Sequence, residues 1–393
     1  MAPLEIAVAG CGPAGLAAAL LLHRDGHQVT LFERFEAPRP IGSGLMLQPT
    51  GLAVLRALEL EQRIRAHGAR IARLTGQAGG RTILDVHYAA LNGDRFGLGV
   101  HRASLFDVLH DAVTAAGIKI HTGCEIIGSS MEGSRRRLLM PRDRSAAFDL
   151  IVDALGARSQ LATGPARVLP YGALWASLPW QPGFDPSALQ QRYRRASVMA
   201  GILPTGCRPG SDTPQAAFFW SLRADSLDAW REGGLGSWKA EVAALWPDTA
   251  PLIDTITDAD QLTFARYAHR TLGAPVEPGL IHIGDSWHST SPQLGQGANM
   301  ALLDAWALAL ALRTEDTVAT ALEKAIALRH RHVRLYQAMS LLLTPVYQSD
   351  GRLVPMVRDR LIGPVSKFAP VMRLQAAMVS GLVGAPLRPL GLG

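Results

Sequence analysis

The sequence predicts an α/β protein with a parallel sheet, an inserted, mostly antiparallel sheet, and a helical carboxyl-terminal segment. Two glycine loops, one near position 10 and one near position 295, each lie between an apolar strand and a helix. Between them, the chain becomes rich in Pro, Trp and Arg, with short alternating runs that are typical of antiparallel strands. Its 393 residues are enough for two or three domains with sizeable cores.

The first glycine loop predicts a Rossmann-like dinucleotide site. An apolar run over 4–9 reads as a buried strand, the helical stretch LAAALLLHRDG follows the loop, and 28–32 gives a second strand. Gly10 permits a tight turn, Gly12 lets the backbone approach a pyrophosphate, and Gly15 lets the helix pack closely on the strand. The phosphates would then face free N–H groups at the helix amino terminus.

An acidic residue stands at the end of the second strand. Glu33 is placed to accept a hydrogen bond from a ribose hydroxyl, which favours an unphosphorylated ribose, as in FAD or NAD, over NADP. Cys11, between two loop glycines, is interpreted as a tolerated small residue rather than a redox centre.

The second glycine loop repeats the strand–loop–helix order without a second GxGxxG. The strand LIHI at 280–283 precedes Gly284 and Asp285, and the segment 291–299 leads into the helix MALLDAWALALALR. Two such loops indicate one large ligand that is held from both halves of the chain.

This second loop carries a specific family resemblance. The chain resembles the FAD-dependent, single-component aromatic hydroxylases (group A flavin monooxygenases), whose signature GDxxHxxxPxxGQGxN is matched at Gly284, Asp285, His288, Pro292, Gly295, Gln296, Gly297 and Asn299. The resemblance also covers the 10–15 loop and the segments 42–60, 101–109 and 280–310. The tail is more loosely similar to ubiquinone-biosynthesis and quinolone-type hydroxylases, and about 165–270 matches no motif.

The resemblance implies a role for each matched residue. Glu33 would hold the adenosine ribose, Arg102 would help to hold FAD, and Asp285 would bind the ribityl and pyrophosphate part. The 295–299 loop would lie against the flavin pyrimidine ring, and Pro292 and His288 would line the flavin site. The residues expected to bind FAD are Gly10, Gly12, Ala14, Gly15, Glu33, Arg34, Arg102, Asp285, Gly295, Gln296, Gly297, Ala298 and Asn299.

One position departs from the family pattern. The family usually has GADGxxS after a strand, and its Asp is linked to flavin and reduced-nicotinamide binding. Here Leu155 stands at that Asp position, and Asp153 lies two residues earlier. Strand alternation predicts that Asp153 points away and is a poor substitute. Leu155 is interpreted as tolerated variation, with altered use of the reductant as the alternative.

The domain organisation follows from these segments. We expect a discontinuous FAD-binding domain over 1–75, 97–160 and 271–335, and a substrate-binding sheet domain over 76–96 and 161–270. The remainder, 336–393, would be a carboxyl-terminal helical segment.

The inserted sheet contains most of the candidate aromatic and basic groups. In the run Phe218-Phe219-Trp220, at least one ring should face each side of the sheet. Tyr267, His269 and His288 could act as a general base by chemistry type only, and the sequence does not identify the base.

The net charge of +6 is confined to the tail. Beyond position 330 the sequence has two Asp and eight basic residues. The basic residues are Arg331, Arg334, Arg352, Arg358, Arg360, Lys367, Arg373 and Arg388. The segment 336–393 would either cap the nucleotide domain or make a peripheral contact with an anionic membrane. On the second interpretation, removing 350–393 should abolish vesicle binding and leave flavin in place. Nucleic acid is not expected, because no basic groove with interleaved aromatic residues is visible.

Other compositional features set the expected compartment. Three cysteines without a CxxC predict neither a disulfide framework nor a metal site. Because the start lacks a basic n-region and no window holds 18 uninterrupted apolar residues, we expect no signal peptide and no spanning helix. The expected location is cytoplasmic, with the inner face of a membrane as a peripheral option.

The predicted function is FAD-dependent monooxygenation. NAD(P)H would reduce the flavin, O2 would add at C4a, and the hydroperoxide would hydroxylate an aromatic or quinone/quinoline-like small molecule. Two alternatives stay open: an FAD-dependent oxidase, dehydrogenase or epoxidase on a hydrophobic substrate, and a membrane-associated accessory flavoprotein.

Overall fold

The computed structural model describes residues 1–37, 43–351, 353–365 and 368–393. Gly42, at the start of one similarity segment, and Arg352 and Lys367, in the basic tail, lie outside the described residues.

The strands, in chain order, are β1 (Glu5–Ala9), β2 (Gln28–Phe32), β3 (Gly44–Leu47), β4 (Ala69–Ile71), β5 (Arg73–Ala78), β6 (Arg81–His87), β7 (Gly97–His101), β8 (Lys119–His121), β9 (Gly128–Glu132), β10 (Arg135–Leu139), β11 (Leu150–Asp153), β12 (Arg167–Pro179), β13 (Ala188–Arg194), β14 (Val198–Cys207), β15 (Pro214–Arg223), β16 (Thr263–His269), β17 (Val276–Glu277) and β18 (Leu280–His282). The α-helices are α1 (Pro13–Arg24), α2 (Pro49–Ala57), α3 (Glu61–Ala66), α4 (Arg102–Ala115), α5 (Leu227–Leu245), α6 (Ala250–Ile253), α7 (Asp285–His288), α8 (Gly297–Thr314), α9 (Val318–Tyr347), α10 (Leu353–Val365) and α11 (Ala369–Val379).

The first sheet has the order β17-β18-β11-β1-β2-β8. Its strands are parallel except for β17, which is antiparallel to β18. In register, Ala9 lies beside Phe32 on one side and Asp153 on the other, and Asp153 lies beside His282. These residues form a row at the carboxyl ends of the strands, which is where open α/β sheets bind their ligands.

The main core lies on one face of this sheet. Helix α1 packs against both α8 and α4, and their apolar side chains are buried with those of β1. Leu387 and Leu390 are buried in the same core, and Trp306 Nε1 donates to the Leu390 carbonyl oxygen at 2.8 Å. The carboxyl-terminal segment therefore contributes to the core of the nucleotide-binding sheet.

The second sheet has the order β16-β12-β15-β14-β13-β5-β6 and is antiparallel except where β5 meets β13. Helix α5 covers one face, where Phe218 and Trp220 pack on Trp238. Phe219 packs on the other face, against Trp175. The prediction that the aromatic run faces both sides is confirmed, as is the α/β fold with an inserted, mostly antiparallel sheet.

A small third sheet, β3-β7-β4, joins the other two. Two glycines permit its close approach to the second sheet: a Cβ added at Gly99 would lie 2.0 Å from the Pro204 carbonyl oxygen, and one at Gly44 would lie 2.5 Å from the Ala217 Cβ. Strand β3 is therefore held between the second sheet and the helices of the first.

The carboxyl-terminal segment is helical, as predicted. Helix α9 is 30 residues long, and α10 and α11 fold back onto β6. Among the residues that the structure describes, no helix combines the length and apolar character needed to cross a bilayer.

Candidate FAD and substrate site

The first glycine loop has the geometry of a dinucleotide cradle. Gly10 has a φ of +104°, and a Cβ added there would lie 2.7 Å from the Ala154 carbonyl oxygen. A Cβ on Gly15 would lie 1.9 Å from the Gly10 carbonyl oxygen, so strand and helix are in direct contact. A Cβ on Gly12 would meet no atom within 4 Å, and no side chain caps α1 there. The open side of Gly12 and the uncapped N–H groups can accept an anionic ligand.

Glu33 supports this loop from behind. Its carboxylate is 9% exposed and accepts the Cys11 N–H at 2.9 Å and the Phe35 N–H at 3.2 Å. Arg34 is exposed, with its guanidinium 4.5 Å from the Phe35 ring centroid. Burial and the Glu33 charge raise the pKa of the Cys11 thiol to about 12, so this thiol stays protonated at neutral pH.

The second glycine loop lies beside the first. A Cβ added at Gly284 would lie 3.3 Å from the Ala14 Cβ, at the amino end of α1. The next residue, Asp285, is exposed, although the surrounding protein raises the pKa of its carboxyl by desolvation. A Cβ on Gly297, the first residue of α8, would lie 3.9 Å from Asp285 Oδ1. The uncapped amino end of α8 therefore lies beside the Asp285 carboxylate, and the uncapped amino end of α1 lies beside the preceding Gly284.

The loop before α8 is fixed by its own side chains. Asn299 accepts the Gln48 N–H at 2.7 Å and donates to the Met46 and Gly295 carbonyl oxygens, each at 3.1 Å. This connects β3 to the 295–299 loop. Ala298 and Pro292 are partly exposed on the same loop region, where a ligand could reach them.

The turn after α11 braces this loop from outside. Gln296 Nε2 donates to the Val379 carbonyl oxygen, and a Cβ added at Gly381 would lie 2.8 Å from Gln296 Oε1. The structure therefore argues against the expectation that 350–393 can be removed without disturbing the flavin site, because this turn and the buried Leu390 would be lost with it.

A buried ionic network lies beneath the second loop. His288 Nε2 lies 2.6 Å from Asp304 Oδ2, and Arg329 donates to Asp304 Oδ1 at 2.8 Å. Burial alone would raise the pKa of the Asp304 carboxyl, but His288 and Arg329 lower it to about 2. Arg329 also contacts His332 Nδ1, whose Nε2 meets the Gly381 carbonyl oxygen at 3.0 Å. The network connects the loop to the turn after α11.

The sequence reasoning missed the partners of His288. Asp304 is the single charged residue in the apolar run 300–312. A lone carboxylate in such a run indicates a buried charge that needs a partner, so the sequence could have revealed it. Arg329 is 1% exposed but lies in a helix with two other arginines, Arg331 and Arg334, so nothing in the pattern distinguished it.

Asp153 has a role that the alternation argument did not predict. Its carboxylate accepts the Leu155 N–H at 3.0 Å and the Ser159 hydroxyl at 2.6 Å, and it lies 2.7 Å from His282 Nδ1. Because β11 ends at Asp153, the chain turns back after it, and this brings both Leu155 and Ser159 within hydrogen-bond distance of the Asp153 carboxylate. Asp153 therefore shapes the turn that packs against Gly10.

The second sheet supplies an aromatic wall on the face that carries Phe219. Trp175 Nε1 donates to the Tyr267 hydroxyl at 2.8 Å, and the Trp175 and Phe219 ring centroids are 4.8 Å apart. Burial raises the pKa of Tyr267 to about 12, while the nearby charge of Arg102 acts in the opposite direction. Arg102 is exposed at the start of α4, and its charge also acts to lower the pKa of the Asp285 carboxyl, which burial raises, so it lies near both the second glycine loop and the aromatic wall.

The three candidates for a general base differ in their surroundings. His288 is 2% exposed and is held by Asp304, away from the open side of the loop. His269 Nδ1 lies 3.3 Å from Thr290 Oγ1, and burial lowers the pKa of this imidazole. Tyr267 is a neutral phenol at physiological pH. No base is assigned among them.

Comparisons with known proteins agree with this geometry. A family model described as an FAD binding domain matches residues 3–160. The chain is 30% identical to a putative 2-heptyl-3-hydroxy-4(1H)-quinolone synthase of Rhodococcus erythropolis, over 80% of this chain and 81% of that protein. It is 25% identical to 3-amino-4-hydroxybenzoate 2-monooxygenase of Streptomyces cremeus, over 77% of this chain and 76% of that protein.

A solved structure gives the same fold at lower identity. Klebsiella pneumoniae HpxO, complexed with FAD and uric acid, superimposes with a TM-score of 0.84 at 18% identity and covers 98% of both chains. The open Gly12 cradle and the two uncapped helix termini fit the dinucleotide that this fold holds. The chain belongs to the FAD-dependent aromatic monooxygenases, and it is an oxidoreductase whose cofactor is FAD.

Proposed function

We propose that this monooxygenase hydroxylates an uncharged, apolar aromatic ring of the quinoline or quinone kind, with O2 and NAD(P)H as co-substrates. The observation that carries the proposal is the aromatic wall of Trp175, Phe219 and Tyr267, which has one neutral hydroxyl. Burial raises the pKa of both the Tyr267 hydroxyl and the Asp285 carboxyl, and the charge of Arg102 acts to lower both, so the wall lies near the second glycine loop. An aromatic substrate can stack on the partly exposed rings of Trp175 and Tyr267. The R. erythropolis relative is named for a quinolone, which supports this class of substrate.

We assign the FAD to the 1–75, 97–160 and 271–335 segments and the substrate to 76–96 and 161–270. The pyrophosphate would lie at the amino end of α1, over the open side of Gly12. Glu33 and Arg34 would lie beside the adenosine ribose. The N–H groups of Gly297, Ala298 and Asn299 would face the pyrimidine ring, with Gly295 and Gln296 shaping that loop.

The chain's own residues would then have defined tasks. FAD, when bound, supplies the redox and oxygen chemistry. The amino end of α8 would stabilise negative charge on the pyrimidine ring. Pro292 adds no N–H donor to the neighbouring wall. Trp175 and Tyr267 would exclude water from the substrate, and the Tyr267 hydroxyl, whose pKa is about 12, would donate a hydrogen bond to it.

A matched pair of glycine substitutions tests the flavin assignment. Gly12 has an extended backbone with a φ of −74°, and Gly233 lies in α5; a Cβ at either position would meet no protein atom within 4 Å. Gly12→Ala should weaken FAD binding at least tenfold because its methyl group would occupy the pyrophosphate position. Gly233→Ala should bind FAD normally. Equal FAD affinity in the two variants, or wild-type protein that shows no flavin absorbance after reconstitution, would refute the assignment.

Turnover separates monooxygenation from the alternatives. Candidate quinolones and quinones should accelerate NAD(P)H oxidation, and label from 18O2 should appear in the product. Unlabelled product would indicate an oxidase or dehydrogenase, and identification of the product separates hydroxylation from epoxidation. A chain that binds such a compound and never converts it would be an accessory flavoprotein.

We also propose a peripheral membrane contact through 336–393. Of the twelve large apolar side chains that are exposed among the described residues, eight lie between Leu341 and Leu374. The tail also carries the excess positive charge of the sequence. Sedimentation of the FAD-loaded protein with anionic vesicles is the expected result, and its absence would refute the contact.

A further inference from the structure

We infer that α10 and an adjoining arginine-lined hollow form one docking face for an anionic phospholipid bilayer, with lipid phosphates in the hollow and the outer side of α10 among the acyl chains. This inference rests on the proposed peripheral contact and locates it. It also assigns a headgroup site to residues of the second sheet, outside the tail.

The first two turns of α10 carry apolar residues on their exposed side and an arginine on their buried side, the opposite of the usual arrangement in a surface helix. These turns expose Leu353, Val354, Met356 and Val357, while Pro355 and Arg358 are buried. At 3.6 residues per turn, the four exposed apolar residues occupy one continuous side, with the exposed Arg360 in its middle. Apolar side chains outside and an arginine inside indicate that the outer side does not normally face water.

The buried arginine holds the helix in this orientation. Arg358 is 2% exposed and donates to the carbonyl oxygens of Val346 at 2.9 Å and Arg195 at 2.8 Å. Its guanidinium lies 5.1 Å from the ring centroid of Tyr193 and 5.5 Å from that of Tyr347. With these partners, α10 cannot rotate its apolar side inward without breaking the contacts of Arg358 with the two carbonyl oxygens and the two tyrosine rings.

A basic hollow opens beside α10. It has a volume of 650 Å³ and is lined by the turn between β5 and β6, the turn between β13 and β14, and Asp359 of α10. The arginines that line it are Arg81, Arg192, Arg194 and Arg195. Arg194 pairs with Glu241, and Asp359 pairs with Arg358. Within the described part of the chain, neither Arg81 nor Arg195 forms an ion pair.

The charge and apolar character of this face favour a bilayer over a second copy of the chain as the partner. A second copy would bring two sets of these arginines together, which like-charge repulsion opposes. Anionic lipid supplies both requirements at once, since phosphates complement the hollow and acyl chains complement the apolar side. Tyr193 and Tyr347 belong to the same apolar cluster as Trp175 and Phe219, so the face adjoins the proposed substrate wall.

The test uses FAD-loaded full-length protein and vesicles of phosphatidylcholine with or without phosphatidylglycerol. Val357→Glu should reduce partition into the anionic vesicles at least tenfold. Val168→Glu is the matched control, because Val168 is 65% exposed on β12, away from α10, and should not change partition. Equal partition of the two variants would overturn the apolar half of the inference.

A second pair of variants tests the hollow. Arg81→Glu with Arg195→Glu should abolish the preference for anionic vesicles, since each arginine near a charged surface contributes about fivefold to partition. Arg142→Glu with Arg144→Glu, both exposed in another region, makes the same change in net charge and should retain most of the preference.

Two other outcomes would also overturn the docking face. One is equal binding to neutral and anionic vesicles, and the other is a wild-type dimer that Val357→Glu dissociates, which would place a second copy on the face. Flavin absorbance and turnover of a soluble substrate are measured on each variant. Absence of flavin absorbance or of turnover in the wild type would count against the proposed function. Failure of vesicle binding alone would count only against the docking face.

Discussion

The turn after α11 should control how tightly the protein holds FAD, and two glycines in that turn allow a matched test. Gly381 and Gly384 have nearly the same left-handed backbone, with φ values of +78° and +81°. Alanine at either position costs about 1–2 kcal/mol because of this conformation. The two sites differ in what the new methyl group would meet.

At Gly381, the added Cβ would lie 2.7 Å from Thr50 Oγ1 and 2.8 Å from Gln296 Oε1. At Gly384, the nearest atom is Leu335 Cδ2 at 3.7 Å, an ordinary contact. Overpacking of the first kind typically costs about 1–3 kcal/mol. Because Gln296 is the last residue before α8, we expect Gly381→Ala to displace the loop that leads into this helix.

If about 1.4 kcal/mol of this cost appears in binding, FAD affinity falls about tenfold in Gly381→Ala. Both variants should lose similar stability from the backbone effect, but Gly384→Ala should bind FAD as the wild type does. Fluorescence titration of the apoproteins with FAD, with thermal unfolding in parallel, measures both quantities. Equal FAD affinities for the two variants would refute the argument that the turn braces the flavin loop.

Three further predictions concern buried groups. Burial and Arg329 lower the pKa of His332 from 6.5 to about 3, so His332 takes up its proton at a higher pH in the unfolded chain than in the folded protein. The free energy of unfolding should therefore drop by about 2 kcal/mol between pH 7.5 and pH 5. A His332→Gln variant whose stability falls equally over this pH range would contradict the prediction. Iodoacetamide should label the partly exposed Cys124 in the native protein and spare Cys11, whose thiol is 3% exposed; mass spectrometry that finds native Cys11 alkylated would disprove this. Asp153→Ala and His282→Ala should each lower the free energy of unfolding by about 3–5 kcal/mol, as measured by urea unfolding. The double variant should lose clearly less than the sum of the two single losses. Strictly additive losses would show that the two side chains do not interact.

The sequence predicts those parts of the fold and site that depend on neighbouring residues. The strand–glycine–helix order around Gly12 and Gly297 is local, and the helix termini lie where the glycines indicate. The role of Asp153 in the turn after β11 was not predicted, because one of its partners, His282, is 129 positions away in the sequence. The contact of Gln296 with Val379 joins residues 83 positions apart, and nothing in either segment specifies the other.

The burial of Leu387 and Leu390 in the core of the first sheet, where their segment packs on α8, sets a timetable for synthesis. The apolar side chains of β1 and α1 share a core with residues made more than 360 positions later. At about 5–20 residues per second, the core that those early segments begin is complete only about 20–80 s later, when Leu387 and Leu390 leave the ribosome. Until then the nascent chain exposes the apolar surface of α8 that these two residues cover. Slow translation of the segment that encodes Leu387 and Leu390, or termination before it, should therefore direct this protein to chaperones and proteases rather than to a partly active fold.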